Sequence, residues 1–194
     1  MSFPITGAAD GERIRYATGR CWLGAVLVAL SKRGVCTILL GDDADLLVRE
    51  LAARFPYARL EGNDPQACAR LADAVHLVED PSRPATIPLD LRGTPFQQRV
   101  WQELRQISPG ATASYGDVAR RLCVPGMARE VAEACAANEL AVAVPCHRVV
   151  RTGGGISGYR WGVRRKRALL AREERQAQLD PSWQSVYPSA GRGP

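Results

Sequence analysis

The sequence predicts an α+β protein in which an α/β segment is followed by a mostly helical one. In the first half, residues 22–30 and 35–40 are apolar runs of β type, and the tetrapeptide SKRG between them is typical of a hairpin turn. In the second half, apolar residues recur mainly at helical spacing. The 194 residues, 46% of them hydrophobic, suffice for one domain or for two small domains with packed cores.

Two helices are predicted after the hairpin. Asp42 or Asp43 can cap the first helix, which Pro56 ends, and Asp64 before a proline begins the second. Their apolar faces consist of Leu46, Leu47, Leu51 and Phe55 in the first helix, and of Leu71, Val75 and Val78 in the second. Residues 85–91 are expected to be extended. This half contains no grouping of catalytic residue types.

The second half begins with a helix that Thr94 caps. Its apolar stripe consists of Phe96, Val100, Trp101, Leu104 and Ile107. Ser114 and Asp117 form a capping-box pattern for a helix ending near residue 122, and a further helix is predicted over about residues 127–137. Two short helices joined by a tight turn in a basic region are typical of a helix-turn-helix.

The last predicted helix spans about residues 162–176. Its spacing places Val163, Leu169 and Leu170 inward and the basic residues 164–167 largely outward. Positive charge is concentrated in this half of the chain, since residues 88–175 contain 15 Lys and Arg against 8 Asp and Glu, whereas residues 1–87 contain 10 against 11. A basic face suggests a polyanionic partner, although an arginine-rich composition by itself would also give a basic surface.

The six cysteines show neither the CxxC pairs of a zinc site nor the spacing of a disulfide framework. We expect the five other than Cys146 to be small buried residues in a reducing compartment, the cytoplasm. No apolar run approaches the ~20 residues of a membrane span, and the N-terminus lacks the pattern of a signal peptide. The sequence therefore predicts no membrane association, no cofactor and no metal site.

The hexapeptide PCHRVV, residues 145–150, places the thiol of Cys146 beside His147, one of two histidines in the chain. An imidazole can help to deprotonate a thiol and make it a nucleophile. Neighbouring side chains of an extended strand point to opposite faces, so pairing requires a bridging water or a turn at this point. Glu173 or Glu174 on the last helix can orient the imidazole. A buried structural cysteine beside a surface histidine is the alternative.

Several further motifs accompany the hexapeptide. They are Ala137-Asn138, Gly158-Tyr159-Arg160-Trp161-Gly162, Lys166, Leu169-Leu170, Glu173, residues 96–101 and Ala113-Ser114-Tyr115. Together with the hexapeptide they resemble the methylated-DNA–protein-cysteine methyltransferases, or O6-alkylguanine-DNA alkyltransferases. Residues 15–17 and 35–43 look more loosely like the alkyltransferase half of the bifunctional bacterial adaptive-response regulator. The resemblance covers roughly residues 12–176.

The resemblance implies a ribonuclease-H-like α/β domain over residues 1–88, a mostly helical winged helix-turn-helix domain over residues 89–176, and a disordered tail over residues 177–194. It also implies direct-reversal DNA repair. The alkyl group of O6-alkylguanine, and as a second candidate that of O4-alkylthymine, is transferred irreversibly to the protein's own cysteine. The expected partner is double-stranded DNA with alkylated bases, and the expected form is a monomer.

Residue roles follow from the same resemblance. Cys146 is the alkyl acceptor, His147 acts as a base through a water, and Glu173 orients His147. Tyr115 donates a proton or a hydrogen bond to the departing base, and Asn138 ties the helix-turn-helix to the active-site segment. For DNA binding the resemblance indicates Ser114, Tyr115, Gly126, Ala128 and Arg129, with Arg129 as the finger that fills the vacated base stack. The base pocket is lined by Pro145, Val149, Tyr159 and Arg160.

Two residues depart from the family pattern. Gly126 stands where a lysine or another polar residue is common, and Glu130 stands where a small residue usually follows the finger arginine. A carboxylate near phosphate raises the cost of binding, so we expect modest, strongly salt-dependent DNA affinity. The competing hypotheses are a helix-turn-helix protein that flags alkylated bases without catalysis, and a cysteine hydrolase. A role in transcription is not expected, because the resemblance is confined to the alkyltransferase half of the regulator.

Overall fold

A computed structural model describes residues 11–81 and 87–179. The fold is α+β, as the sequence predicts. The chain divides into two compact units, of which the first comprises residues 1–98 with 139–143 and the second residues 99–138 with 144–194. The packing therefore divides the chain ten residues beyond the expected boundary at 88/89, and that domain assignment stays a prediction.

The first unit is built on a four-stranded sheet. Its strands are β1 (Arg13–Cys21), β2 (Gly24–Leu30), β3 (Val35–Gly41) and β4 (Arg59–Gly62). They lie in the order β3-β2-β1-β4, and β4 pairs parallel to β1 while the other pairs are antiparallel. The predicted hairpin is confirmed as β2 and β3. β1 and β4 are not predicted by the sequence, because their arginines interrupt the apolar pattern.

Two helices cover this sheet. They are α1 (Ala44–Arg54), capped by the Asp43 carboxylate, and α2 (Pro65–Glu79), capped by Asp64, so both predicted starts are confirmed. α1 packs against β2 and β3, and α2 packs against β1 and β2. Almost every residue of β2 is consequently buried. The core includes Leu27, Leu51 and Phe55, whereas Leu46, predicted on the apolar face of α1, is 59% exposed.

The second unit is mostly helical. α3 (Pro95–Leu104) leads into it, followed by β5 (Ala113–Ser114), α4 (Tyr115–Arg121), α5 (Ala128–Ala136), a 3-10 turn (Cys146–Arg148), β6 (Val149–Val150) and α6 (Val163–Leu179). β5 and β6 pair in parallel. α6 continues three residues into the predicted tail, and the rest of that tail lies outside the described residues.

The predicted pair of short helices is present as α4 and α5, which pack against each other. Ser114 and Asp117 form a complete capping box at the start of α4, because each side chain accepts a hydrogen bond from the backbone N–H of the other residue. The Trp101 indole donates to the Ala134 carbonyl at 2.8 Å and so fixes α5 to α3. Gly126 lies in the turn between α4 and α5 with φ of 98°, a conformation that favours glycine.

Burial corrects two expectations from the sequence. Cys68 and Cys123 are exposed and Cys21 is partly exposed, so of the five cysteines expected in the interior only Cys36 and Cys135 are buried. On α6, Lys166 is buried and Val163 is 37% exposed, the reverse of their predicted orientation. No helix within residues 11–81 and 87–179 combines the length and apolarity needed to cross a membrane.

Candidate active site

The segment that carries Cys146 is a single 3-10 turn rather than a strand. The turn follows Pro145 and passes directly into β6. Of the two arrangements that the sequence leaves open, the structure therefore has the turn, which removes the alternation of side chains expected in an extended strand. Cys146 and His147 are both buried, with 4% and 1% of their surfaces exposed.

Asn138 holds the Cys146 thiol from the end of α5. It is fully buried, and its Nδ2 donates to the Val144 carbonyl at 2.9 Å and to the Cys146 Sγ at 3.2 Å. These contacts join the end of the second short helix to the segment carrying the thiol. A donor aimed at sulfur favours the thiolate over the thiol.

The thiol is protonated in the resting protein. Burial raises the pKa of Cys146 to about 11, although the hydrogen bond from Asn138 and the positive charge of Lys166 both oppose that rise. A buried thiol of this kind becomes a nucleophile only when a base takes its proton as the reaction begins.

His147 is held in place by Glu173. Its Nε2 lies 2.8 Å from the Glu173 Oε1. Because the carboxylate can only accept, the imidazole hydrogen is placed on Nε2, and Nδ1 keeps its lone pair. Nδ1 is buried and finds no hydrogen-bond partner among the described residues. Burial lowers the pKa of His147 despite the attraction of Glu173, so the imidazole is neutral and able to accept a proton.

Glu173 is held by more groups than the sequence indicated. Arg148 Nε and Nη2 donate to its carboxylate at 2.9–3.2 Å, and the Gly110 backbone N–H donates to Oε2 at 3.1 Å. Burial would raise the pKa of Glu173, but His147 and Arg148 outweigh it and lower the pKa to about 2. Glu174, the other candidate, is exposed.

Arg148 was not singled out by the sequence analysis. Its Nη1 donates to the Ile107 carbonyl at 2.6 Å, so a single guanidinium fixes both Glu173 and the end of the α3 segment. Its position in the hexapeptide was the sequence feature that could have identified it. An arginine beside a proposed nucleophile, however, looks like part of a basic surface until its burial is known.

Tyr115 is the first residue of α4, and it lies close to the same site. Its hydroxyl is 2.5 Å from the Ser157 Oγ. Burial raises the pKa of Tyr115, the Ser157 hydrogen bond lowers it, and negative charge on Cys146 raises it further. Tyr115 is therefore a neutral phenol within electrostatic reach of the thiol.

The expected base pocket is bordered by an aromatic pair. The Tyr159 ring packs edge-on against Trp161, with centroids 5.1 Å apart, and lies 6.3 Å from the imidazole of His147. Burial raises the pKa of Tyr159 well above its usual value. Pro145 and Val149 are buried, whereas Arg160 is exposed and donates to the Ala136 carbonyl at 3.2 Å.

The residues expected to contact DNA lie on and around the helix pair. Arg129 is in the first turn of α5, and its side chain, 87% exposed, pairs with Glu133 on the same helix, 3.2 Å away. Gly126 and Glu130 are exposed and Ala128 is partly exposed. The Ser114 hydroxyl accepts from the Asp117 N–H, so its capping role occupies part of its hydrogen-bonding capacity. Within the described ranges, no group of three His, Cys, Asp or Glu residues is placed to hold a metal ion.

Comparisons with known proteins show what the chain is similar to. Residues 95–175 match the family model described as 6-O-methylguanine DNA methyltransferase, DNA binding domain. The chain is 50% identical over 160 residues to the bifunctional transcriptional activator/DNA repair enzyme Ada of Escherichia coli, which covers 82% of this chain and 45% of Ada. It is also 50% identical over 94 residues to the methylated-DNA–protein-cysteine methyltransferase of Mycobacterium bovis, covering 48% of this chain and 57% of that protein.

Among solved structures, the chain is similar to the crystal structure of Mycobacterium tuberculosis OGT in complex with DNA. The TM-score is 0.70 at 31% sequence identity, and the match covers 84% of this chain and 94% of the other. The chain therefore spans about half the length of the curated relatives named above, but nearly the whole of this solved structure.

Proposed function

Because the chain belongs to the 6-O-methylguanine DNA methyltransferase family, we propose that it repairs alkylated DNA by moving the alkyl group of O6-alkylguanine onto its own Cys146. The proposal rests on one observation above all. A buried thiol, held by Asn138, is followed in the chain by a buried imidazole whose Nε2 is bound to Glu173 and whose Nδ1 keeps its lone pair. This arrangement can generate one thiolate inside the protein when a substrate arrives.

In the proposed reaction, His147 accepts the thiol proton, directly or through one water. The Cys146 sulfur then attacks the saturated carbon on the guanine oxygen, so that a carbon–sulfur bond forms as the carbon–oxygen bond breaks. The electron pair of the broken bond stays on the base, which leaves neutral once Tyr115 gives it a proton. The thioether has no activated leaving group, so the sulfur is not regenerated and each molecule acts once.

DNA is proposed to bind along α4 and α5. A damaged base stacked inside a duplex must be extruded to reach Cys146, at a cost of a few kcal/mol. Arg129, exposed at the start of α5, suits the space that the base leaves. Ser114, Gly126 and Ala128 would lie near the backbone, while Tyr159, Val149, Pro145 and Arg160 would surround the base.

We further propose the finer architecture that accompanies this function. Residues 1–88 would form a ribonuclease-H-like domain and residues 89–176 a winged helix-turn-helix domain that carries the acceptor. The β3-β2-β1-β4 order, with β4 parallel to β1, supports the first assignment, and the α4–α5 pair supports the second. The protein would act as a monomer in the cytoplasm, where its six thiols stay reduced.

Mass spectrometry of the intact protein tests the proposed function. The protein is mixed with a duplex carrying O6-methylguanine, and the acceptor is located by peptide mapping. We expect a gain of one methyl group on the peptide that contains Cys146. A Cys146→Ser variant should gain none, and a Cys135→Ala variant, which lacks the other buried thiol of this unit, should still gain one.

Two outcomes would contradict the proposal and support one of the alternative functions. Tight binding to the methylated duplex without a mass gain would support a protein that flags alkylated bases. Turnover of a thioester or amide substrate with Cys146 regenerated would support a hydrolase.

A further inference from the structure

Lys166 is buried beside the candidate site, although its place on α6 predicted an exposed charge. It is 1% exposed. Its Nζ donates to the Val149 carbonyl at 2.6 Å and to the Ser157 Oγ at 3.3 Å. Removing an ammonium from water costs free energy unless its hydrogens find acceptors and its charge is stabilised by its surroundings. Val149 is one of the residues expected to line the base pocket, and Ser157 contacts Tyr115.

Ser157 joins this ammonium to Tyr115. It is partly buried in the segment between β6 and α6, and its Oγ lies 2.5 Å from the Tyr115 hydroxyl. A lysine ammonium can only donate, so Ser157 accepts from Lys166 and its single hydrogen remains for Tyr115. When Ser157 donates that hydrogen to Tyr115, the hydrogen bonds run in one direction, from Lys166 through Ser157 to Tyr115. The phenol hydrogen of Tyr115 is left for another acceptor.

We propose that Ser157 and Lys166 are positioning residues that pass a proton to Tyr115 while Tyr115 protonates the departing base. The inference rests on the proposed function. The phenol proton goes to the guanine, the Ser157 hydroxyl proton goes to Tyr115, and a Lys166 ammonium proton goes to Ser157. Lys166 ends as a neutral amine, and no phenolate is left in the buried site. Every proton that one group loses is gained by the next.

The electrostatics of the site favour this direction of transfer. Burial lowers the pKa of Lys166, while the negative charge of a Cys146 thiolate raises it. The thiolate that forms when His147 takes the thiol proton therefore holds the proton on Lys166 until the sulfur is alkylated. Alkylation converts the sulfur to a neutral thioether and removes that restraint, so Lys166 gives up its proton more readily as the carbon–sulfur bond forms.

Two methyl donors separate this role from a structural one. Guanine needs a proton to leave, whereas iodide does not, so methyl iodide alkylates Cys146 without help from Tyr115. We expect Ser157→Ala to slow single-turnover methyl transfer from O6-methylguanine duplex by roughly fivefold to tenfold. Its methylation of Cys146 by methyl iodide, followed on the Cys146 peptide, should match wild type. Ser157→Thr should restore the rate with DNA, and Thr152→Ala, an exposed hydroxyl in the same loop, should have no effect.

A double variant completes the test. In a Tyr115→Phe background, Ser157→Ala should cause no further loss, because the group that receives the proton is gone. The relay is overturned if Ser157→Ala transfers methyl from DNA at the wild-type rate, or if it slows both donors equally. A wild-type protein that reacts with methyl iodide but takes no methyl group from DNA overturns the proposed function and the relay with it.

Discussion

Glu173 connects the two residues that follow Cys146 in the chain. Its carboxylate accepts from His147 and from Arg148, and all three side chains are nearly inaccessible to solvent. A buried ion pair contributes little net stability when intact, but removing one partner leaves the other charge unpaired at high cost. The carboxylate therefore supports both the tautomer of His147 and the folded state of the second unit.

Replacement of this carboxylate should be strongly destabilising. We expect Glu173→Gln to lower the free energy of unfolding by about 3–5 kcal/mol, because the Arg148 guanidinium stays buried without its counter-charge. Glu174→Gln, an exposed neighbour on the same helix, should stay within about 0.5 kcal/mol of wild type. Urea denaturation of the three proteins measures the difference. Equal stabilities of Glu173→Gln and wild type would show that the cluster contributes no net stabilisation.

The residues of the site differ in how far the sequence could predict them. Cys146, His147, Asn138 and Glu173 lie in recognisable motifs, and the structure brings them into contact. Ser157, Arg148 and Lys166 were not assigned roles. Helical spacing places Lys166 in a basic run on α6. Spacing alone cannot show that the Val149 carbonyl lies where it accepts a hydrogen bond from Lys166. Whether such a residue is buried or exposed depends on contacts between residues that are distant in sequence.

The turn between α4 and α5 sets how the second helix is presented. Gly126 has φ of 98°, and a Cβ added there would meet no atom within 4 Å. Any effect of a side chain at this position is therefore conformational rather than steric. Gly116, inside α4, differs because a Cβ there would meet the Arg120 guanidinium and the Ser114 hydroxyl at ordinary contact distances.

These two glycines should respond oppositely to the same substitution. Gly126→Ala should destabilise the protein by about 1–2 kcal/mol, since an L side chain is strained in the left-handed region. Gly116→Ala should stabilise it by about 0.5–1 kcal/mol through a lower conformational entropy of the unfolded chain. Thermal unfolding of both variants measures the shifts. A Gly126→Ala variant as stable as wild type would contradict the left-handed turn.

Arg129 tests the proposed role of α5. Its side chain is 87% exposed and pairs with Glu133 on the same helix, so its removal should leave the Cys146 site intact. We expect Arg129→Ala to slow methyl transfer from duplex DNA at least tenfold more than transfer from free O6-methylguanine, because only the duplex base must be extruded. Arg167→Ala, an exposed arginine on α6, serves as the control. Equal slowing with both substrates would remove the finger assignment.

Among the features used to predict secondary structure, capping residues predicted the starts of helices most reliably. Asp43, Asp64 and the Ser114–Asp117 box each begin a helix as predicted, because caps act within one turn of chain. β1 and β4 escaped prediction because arginines interrupt their apolar pattern, and the parallel pairing of β4 with β1 depends in addition on a crossover through α1 that a local pattern does not contain.

The molecule as a whole should be sensitive to acid. Burial holds the pKa of His147 below its ordinary value of 6.5, and the pKa of Glu173 falls from 4.5 to about 2. For both groups the unfolded chain binds protons more readily than the folded chain. Stability is therefore lost first as the pH falls below 6.5, through His147, and again between 4.5 and 2, through Glu173.

One variant can separate the loss of stability that is due to His147 from the loss at lower pH. The free energy of unfolding of wild type should fall between pH 7 and pH 5.5, and His147→Gln, with no ionisable group at that position, should show a smaller fall. His76→Gln, in the first unit, provides the control. If His147→Gln and wild type lose stability in parallel over this range, then His147 is not held neutral by burial.

The net charge of +6 and the basic second half fit a protein that meets a polyanion, but the proposed reaction takes place at a single sulfur atom. It is tested most directly by titrating a fixed amount of protein with increasing O6-methylguanine duplex and counting the methyl groups removed. We expect a plateau at one methyl group per protein molecule, all of it on Cys146. Continued removal beyond one methyl group per molecule, or a plateau carried by another residue, would contradict it.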